Sequence, residues 1–410
     1  AGKFSNKTHT AKSCPTKTHQ AHYMTTNTVQ GKQLTKRRSI ALFNPIFAGG
    51  GAEAVALWIV CALQDKYDVT LFTVFDVDID ELNGMYATYI DPKRVQVRPR
   101  FSGRVSSFLR WLRKKRRFFG KTILHYSIRW FKAENKSYDA CFCAYNAIDV
   151  GRLSMQYLHW HDVLRHRNFF WISDFSEKRA FSNISVANSQ FTADCVEKLF
   201  GRTVDVLYPP VVYDESIEIV PWSKRKPFSF VCSGRIVQAK SPHRIIEILK
   251  EVRQQGYDVE LHLTGGGGGD YADSYVRKVR NLVRQNSDWV TLHTNLPYRD
   301  YIDVLRNCRY GFHLKTEPFG ISVAEIMQMG LIPLVRCNGG QVEIVGTDHP
   351  EILFNPREDH CAKIIAILRD EAKQQEILDT LSHLRHLFTP ERFIQGTQKL
   401  VDDYFAGEVG

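Results

Sequence analysis

The sequence predicts an α/β protein made of two domains, each a parallel sheet wrapped by helices, and three observations predict it. At 410 residues the chain is too long for one ordinary core, so two domains of about 150–200 residues are expected. Short apolar strands alternate with helical patterns in both halves, the order a parallel sheet requires. A polar, proline-containing stretch, "DESIEIVPWSKRKP" (214–227), separates the two series.

The elements follow in order. "RSIALFNPIF" (38–47) reads as a strand running into the glycine-rich "AGGGAEA", and "VALWIVCALQ" (55–64) has helical spacing. Further strands are expected at 68–76, 138–146, 167–174 ("RNFFWISD"), 184–189 and 204–210. After the linker, strands are expected at 228–236, 258–265, 289–296, 309–316 and 331–338. Helical patterns lie between them at 242–255, 271–285, 299–307 and 321–329, and an amphipathic helix at 391–405 closes the chain. The expected division is a leader or disordered tail over 1–37, a first domain over 38–212, a linker over 213–227, a second domain over 228–387 and a closing segment over 388–410. In such sheets ligands sit beyond the carboxyl ends of the strands, and here two such edges can face each other across a cleft.

Composition narrows the class. No apolar run reaches the ~18–20 residues that span a bilayer. Residues 1–23 lack the apolar core of a secretory signal. Nine scattered cysteines, several inside apolar runs, read as small core hydrophobes in a reducing, cytoplasmic setting. Cys141 and Cys143 have no second Cys or His pair at ligand spacing, so no metal site is expected. The net charge of +11 is uneven: residues 91–136 carry +13, residues 1–38 carry +8, and the rest is net acidic. A localised anionic partner fits that pattern better than general polyanion binding.

In "GFHLKTEPFGISVAEIMQMG" (311–330) a strand should end near Thr316, with Glu317 on the turn and Gly320 opening a helix that Gly330 ends. The free amides of Gly320, Ile321 and Ser322 would form an anion site reinforced by the helix dipole. Glu325, about one turn inside, can accept from a ribose diol, while Glu317 reaches another group of the same elongated ligand. Any lone glutamate pair is otherwise a helix-start acid and a solvated one. In "CSGRIVQAKSPHR" (232–244), Arg235 ends a strand and Lys240 follows five residues later, near a helix start. Alone these are surface charges; beside 317–325 in one domain they suit a diphosphate.

"GRIVQAK", "EPFGISVAE", "GLIPLV" and "NGGQVEIV" occur in the order seen in glycosyltransferase family 4, the retaining nucleotide-sugar transferases of GT-B fold, which this chain resembles. The resemblance extends through "FAGGGAE" (47–53), "LHWHD" (158–162), "VANSQFTAD" (186–194) and "LYPPV" (207–211), and so over roughly 38–405. "NPIFAGGGAE" and "YLHWHD" are similar to stretches of asparagine-linked-glycosylation mannosyltransferases and bacterial envelope-polysaccharide transferases. The resemblance implies that Arg235 and Lys240 hold the donor diphosphate, Glu317 the donor sugar and Glu325 the ribose. Phe319 belongs to the same donor loop, and the stretch around Asn295 and Leu296 would meet the base. Either His159 or His161 would contact the sugar from the first domain, and the closing helix would cross back onto that domain. GT-B enzymes usually need no metal, and no cofactor is expected.

Other features were weighed against this reading. Gly49, Gly51 and Ala54 satisfy Gly-x-Gly-x-x-Ala, and Asp76 ends the next strand as a dinucleotide-binding acid would, so a NAD-dependent oxidoreductase is the first alternative. In the transferase reading the amides at Gly49, Gly50 and Gly51 approach the transferring phosphate or the acceptor. "FDVDID" (75–80) reads as a strand end with solvated carboxylates, and "GGGGGD" (265–270) as a strand-to-helix loop. Asn188 and Ser189 resemble the family's Asn-Ser pair, and turn capping explains them as well. "FLRWLRKKRRFFGKTILHYSIRWFK" (108–132) mixes aromatics and cations in helical register, as a solvated helix or one lying on an anionic leaflet. A basic nucleic-acid-binding protein working through 91–136 is the second alternative, without a recognition fold to support it. The expected function is a retaining hexosyltransferase moving a sugar from a nucleotide-sugar donor, UDP-glucose-type before GDP-mannose, to a glycan or lipid-linked acceptor. No nucleic acid is expected as partner. The expected location is cytoplasmic, with peripheral placement on the inner membrane face.

Overall fold

The structure, a computed structural model, describes residues 36–47, 49–115, 117–161, 167–212, 217–265 and 273–407. The expected leader up to residue 35, Ala48, Asp162, the first residues of the linker and the "GGGGGD" loop beyond Gly265 lie outside the described residues.

Thirteen parallel strands are found among the described residues. β1 (Ser39–Phe43), β2 (Asp68–Phe75), β3 (Gln96–Phe101), β4 (Ala140–Cys143), β5 (Met155–Leu158), β6 (Ile184–Ala187) and β7 (Asp205–Val206) form one sheet in the order β3-β2-β1-β4-β5-β6-β7. β8 (Ser229–Ser233), β9 (Glu260–Thr264), β10 (Val290–His293), β11 (Tyr310–His313), β12 (Ile332–Arg336) and β13 (Leu353–Phe354) form the other, ordered β10-β9-β8-β11-β12-β13. In each sheet the first strand lies centrally and the order reverses beside it, which opens a crevice at the carboxyl ends of the strands.

β1 is apolar on both faces because both are covered. Ile40 and Leu42 pack into a core with the Gly51–Leu63 helix, and Ala41 and Phe43 into a core with Leu124, Ile128 and Phe131 on the other side. β8 repeats the arrangement: Phe230 and Cys232 face the large core of the second domain, and Val231 faces Ile302, Leu305 and Ile326.

The last helix, Pro390–Ala406, is capped by Thr389 and started by Pro390 at its first position. It buries Phe393, Leu400 and Val401 in the core of the first domain. Gln398 Nε2 donates to the Ala62 carbonyl at 2.8 Å, and Lys66 pairs with Asp402 at 2.6 Å. The chain therefore crosses between the domains twice.

The structure corrects several expectations. Residues 167–174 are not a strand but a turn of 3-10 helix, Arg167–Phe169, followed by the short helix Phe170–Ser173. Their apolar residues come consecutively, without the alternation of a strand, and Phe169 and Phe170 pack against the ring of His125 at 5.9 and 5.8 Å. The basic stretch forms two helices, Gly103–Lys115 and Arg117–Glu134. β3 escaped the reading because "QVRPRF" carries two arginines and a proline, tolerable because β3 is an edge strand. β5 escaped because its four residues, "MQYL", are too few for a period to show. β11 ends at His313, three residues before the expected Thr316.

Candidate active site

Between the carboxyl ends of the two sheets lies a cleft of about 1280 Å³. On the second domain's side the chain leaves β11, turns through Glu317 and Pro318, and enters the Ile321–Gln328 helix at Gly320, which has φ +111°. A positive φ there suits glycine and aims the first amides of the helix at the cleft. Glu317, Phe319, Gly320, Ile321, Ser322 and Glu325 all line it, as do Arg235, Lys240 and Asn295. Leu296, expected beside Asn295, is not among the lining residues, so of that pair Asn295 is the one presented.

Glu317 sits among two lysines and a histidine. Lys315 Nζ is 2.9 Å from its Oε2, Lys240 Nζ is 4.0 Å from Oε1, and His313 Nε2 is 3.5 Å from Oε1. Burial pushes the carboxyl up, but His313, Lys240 and Lys315 outweigh it and hold Glu317 down at about 2. Burial lowers both Lys240 and His313 from their ordinary values. A buried His313 favours the neutral ring, so its 3.5 Å approach is a long polar contact and not a pair of full charges. Glu317 is thus ionised at neutral pH and can accept from sugar hydroxyls, but has no proton to give. Lys240 reaches its place over Gly234, whose φ is +120°: a Cβ there would lie 2.2 Å from the Lys240 ammonium. Glu325 is different. Burial raises its carboxyl, and Tyr301 donates to it at 2.8 Å.

His313, Lys315, Tyr301 and Gly234 were all missed in the sequence. His313 and Lys315 stand in "HLKTE" immediately before Glu317, and their cation-plus-imidazole pattern was the available signal.

On the first domain's side the two candidate histidines separate. His159 lines the cleft; His161 does not, and its ring lies against Trp160 at 4.4 Å. His159 Nε2 meets the Ala144 carbonyl at 2.8 Å, and Asn188 Nδ2 donates to the His159 carbonyl at 3.1 Å. Burial lowers His159 to about 4, so its ring is neutral at pH 7.

Gly49, Gly50 and Gly51 all line the cleft, but two of their amides are engaged within the first domain. The Gly49 amide donates to the Tyr86 hydroxyl at 2.9 Å, and the Gly50 amide donates to the Glu53 carboxylate, which also accepts from Tyr86 at 3.0 Å. Two of the amides assigned to a phosphate or acceptor are therefore engaged within the domain, one of them by a carboxylate that would repel phosphate. The oxidoreductase alternative loses its acid as well: Asp76 Oδ2 accepts from the Gly103 amide at 2.7 Å. Asp78, read as a solvated carboxylate, accepts from the Asp80 and Glu81 amides and caps the Ile79–Tyr86 helix.

The two walls touch. A Cβ on Gly51 would lie 2.6 Å from the Cδ1 of Ile321. Ser189 caps the Gln190–Phe200 helix through the Thr192 amide at 3.0 Å, and its hydroxyl also donates to the Pro318 carbonyl across the interface. From the second domain, Glu343 accepts from the Gln190 and Phe191 amides, both at 2.7 Å, and from the Tyr208 hydroxyl at 3.1 Å. A carboxylate of one domain thus caps a helix of the other.

Residues 214–380 match the family model described as Glycosyl transferases group 1. The matched stretch is similar to that family over the second domain and the linker before it. The match includes Arg235, Lys240, the donor loop and Glu343. The chain is 24% identical to the glycosyltransferase YqgM of Bacillus subtilis over 192 residues, 46% of this chain and 52% of that one. It is 22% identical over 377 residues to the Xenopus laevis protein named GDP-Man:Man(3)GlcNAc(2)-PP-Dol alpha-1,2-mannosyltransferase, 78% of this chain and 77% of that one. The match spans about half the length of the first curated relatives. Among solved structures, Anabaena HepE in complex with UDP-glucose superposes with a TM-score of 0.62 over 89% of this chain and 99% of that one, at 16% identity. The two sheets and their helices together have the GT-B fold.

Proposed function

We propose that the protein is a glycosyltransferase that moves a hexose from a nucleoside-diphosphate sugar to a hydroxyl of a glycan or lipid-linked acceptor, with retention at the anomeric carbon. One observation carries the reading: Lys240, Glu317 and the helix-start amides at Gly320–Ser322 meet on one wall of a cleft that the first domain covers. In the reaction the bond from the anomeric carbon to the diphosphate breaks and a bond to the acceptor oxygen forms. The acceptor's proton leaves with the departing diphosphate. Lys240, Arg235 and the amides stabilise the charge that develops on that diphosphate. Glu317 orients sugar hydroxyls, Glu325 accepts from the ribose, and Asn295 stands where the base would lie. His159, neutral and cleft-lining, faces the sugar from the first domain. Contact between the walls keeps out water that would otherwise hydrolyse the donor.

UDP-glucose is the first donor to test and GDP-mannose the second, the latter favoured by the names of the Xenopus and Dictyostelium relatives. The acceptor's lipid character is supported by exposed aromatics around the basic helices: Phe108, Trp111, Phe118 (64% exposed) and Trp171 (77% exposed). No helix of the described residues is long and apolar enough to cross a membrane, so attachment would be peripheral, on the cytoplasmic face.

The test is incubation with a panel of sugar nucleotides, scoring donor hydrolysis and transfer. One donor should be consumed, and Lys240→Ala should lower turnover at least a hundredfold. Full turnover by that variant would remove the site proposed here. Sedimentation with phosphatidylglycerol vesicles tests attachment; Phe118→Ser with Trp171→Ser should leave the protein in the supernatant.

A further inference from the structure

The cleft has a second cationic wall. Arg110 and Arg113, one helical turn apart on the Gly103–Lys115 helix, both line it from the first domain, across from Lys240 and Arg235. That helix has no acidic residue. Arg110 donates to the Asp76 carbonyl and lies over the Phe75 ring at 5.2 Å, contacts that position its guanidinium. Among the described residues the buried Nε of Arg113 has no hydrogen-bond partner. A buried guanidinium nitrogen without an acceptor is costly, and a ligand that supplies one removes the cost. Glu53, the carboxylate on this wall, already holds the Gly50 amide and the Tyr86 hydroxyl.

A nucleoside-diphosphate sugar carries one diphosphate, and the opposite wall supplies its cations and helix amides. A separate pair of arginines calls for a separate anion. Guanidinium forks bind phosphate oxygens in pairs, and the adjoining half-buried Ile46 and Phe47 offer apolar surface beside them. We propose that Arg110 and Arg113 form a subsite for a phosphate carried by an amphiphilic acceptor, fixing that substrate by its charged group while a hydroxyl of it meets the donor sugar. This rests on the transferase reading above and adds the acceptor's chemical class to it.

The probe is octyl phosphate below its micelle concentration, titrated calorimetrically into protein saturated with whichever nucleoside diphosphate it binds, with octyl glucoside as the uncharged control. Octyl phosphate should bind the nucleotide-loaded protein at least tenfold more tightly than octyl glucoside, and inorganic phosphate should compete. Arg110→Gln with Arg113→Gln should weaken octyl phosphate at least tenfold and leave nucleotide affinity within twofold; Arg→Lys at both positions should recover part of the loss. Equal binding of the two probes to the unaltered protein overturns the proposal without any variant. So does a parallel loss of nucleotide affinity, which would give these arginines to the donor. Unchanged octyl phosphate binding alongside lost binding to phosphatidylglycerol vesicles would give them to the bilayer and overturn it too. If no nucleotide binds the unaltered protein, the transferase reading has failed instead.

Discussion

Glu325 and Tyr301 form a half-buried pair whose consequence differs from that of the loop acid. Removing the carboxylate takes the charged acceptor away from the Tyr301 hydroxyl, and losing such a bond costs about 1–3 kcal/mol. Glu325→Ala should therefore lower unfolding free energy by that amount in denaturant titration and weaken nucleotide binding at least tenfold by calorimetry. Glu325→Gln keeps an acceptor oxygen and should recover most of the stability. Two residues give opposite halves of the acid response. His159 sits at about 4 in the fold against an ordinary 6.5, so the unfolded chain takes a proton that the folded one refuses. Its contribution is full above pH 6.5 and is lost as pH falls to about 4. Glu317, held at about 2 against an ordinary 4.5, contributes fully above pH 4.5 and loses that contribution only as pH falls toward 2. In melting temperatures taken at successive pH values, His159→Gln should flatten the limb between pH 6.5 and 4 and leave the lower limb in place. The sequence marked His159 and Glu317 by the motifs around them. It could not mark Tyr301, which stands 24 residues before its partner in a helix with no motif of its own.

At the scale of elements, the donor loop owes its shape to a second turn behind it. The Gly340 amide donates to the Glu317 carbonyl at 2.8 Å, and Gln341 Oε1 accepts from the Glu317 amide at 2.9 Å. A Cβ on Gly340 would lie 1.9 Å from the Pro318 carbonyl oxygen, a backbone atom with nowhere to go. Gly340→Ala should displace the loop, lowering nucleotide affinity more than tenfold and the melting temperature by several degrees, while leaving far-ultraviolet dichroism unchanged. Up to β12 the strands and helices of the second domain were readable from their pattern between turn residues; β13 and the helices Gln341–Val345, His360–Arg369 and Glu371–Leu384 were not. In the first domain the same reading failed where elements were short, as in "MQYL", or where aromatic packing overrode alternation, as at Phe169 and Phe170. The glycine loop failed for another reason. Its glycines were legible, but Tyr86, 37 residues after the Gly49 amide it accepts from, was not.

At the scale of the molecule, the domains meet through apolar contacts such as Tyr208 on Phe319 and through hydrogen bonds, three of which Glu343 supplies. Burial raises its carboxyl, and the Phe191 and Gln190 amides and the Tyr208 hydroxyl pull it back down. Glu343→Ala leaves the Gln190 and Phe191 amides without their acceptor, with Ser189 still holding the Thr192 amide, and the walls less firmly joined. The expected outcome is a turnover number reduced several-fold with the donor KM nearly unchanged, and a larger radius of gyration in solution scattering that nucleotide only partly reverses. An unchanged radius with unchanged turnover would show that the cap does not govern closure. The returning helix has a consequence for synthesis. Phe393, Leu400 and Val401 complete a core whose other members are all made before residue 187. On the ribosome, that earlier half must wait, with an apolar groove open, while some two hundred residues of a different domain are produced and fold. That half is completed only after a domain made later, and a chaperone guarding its groove would be released once the returning helix emerges.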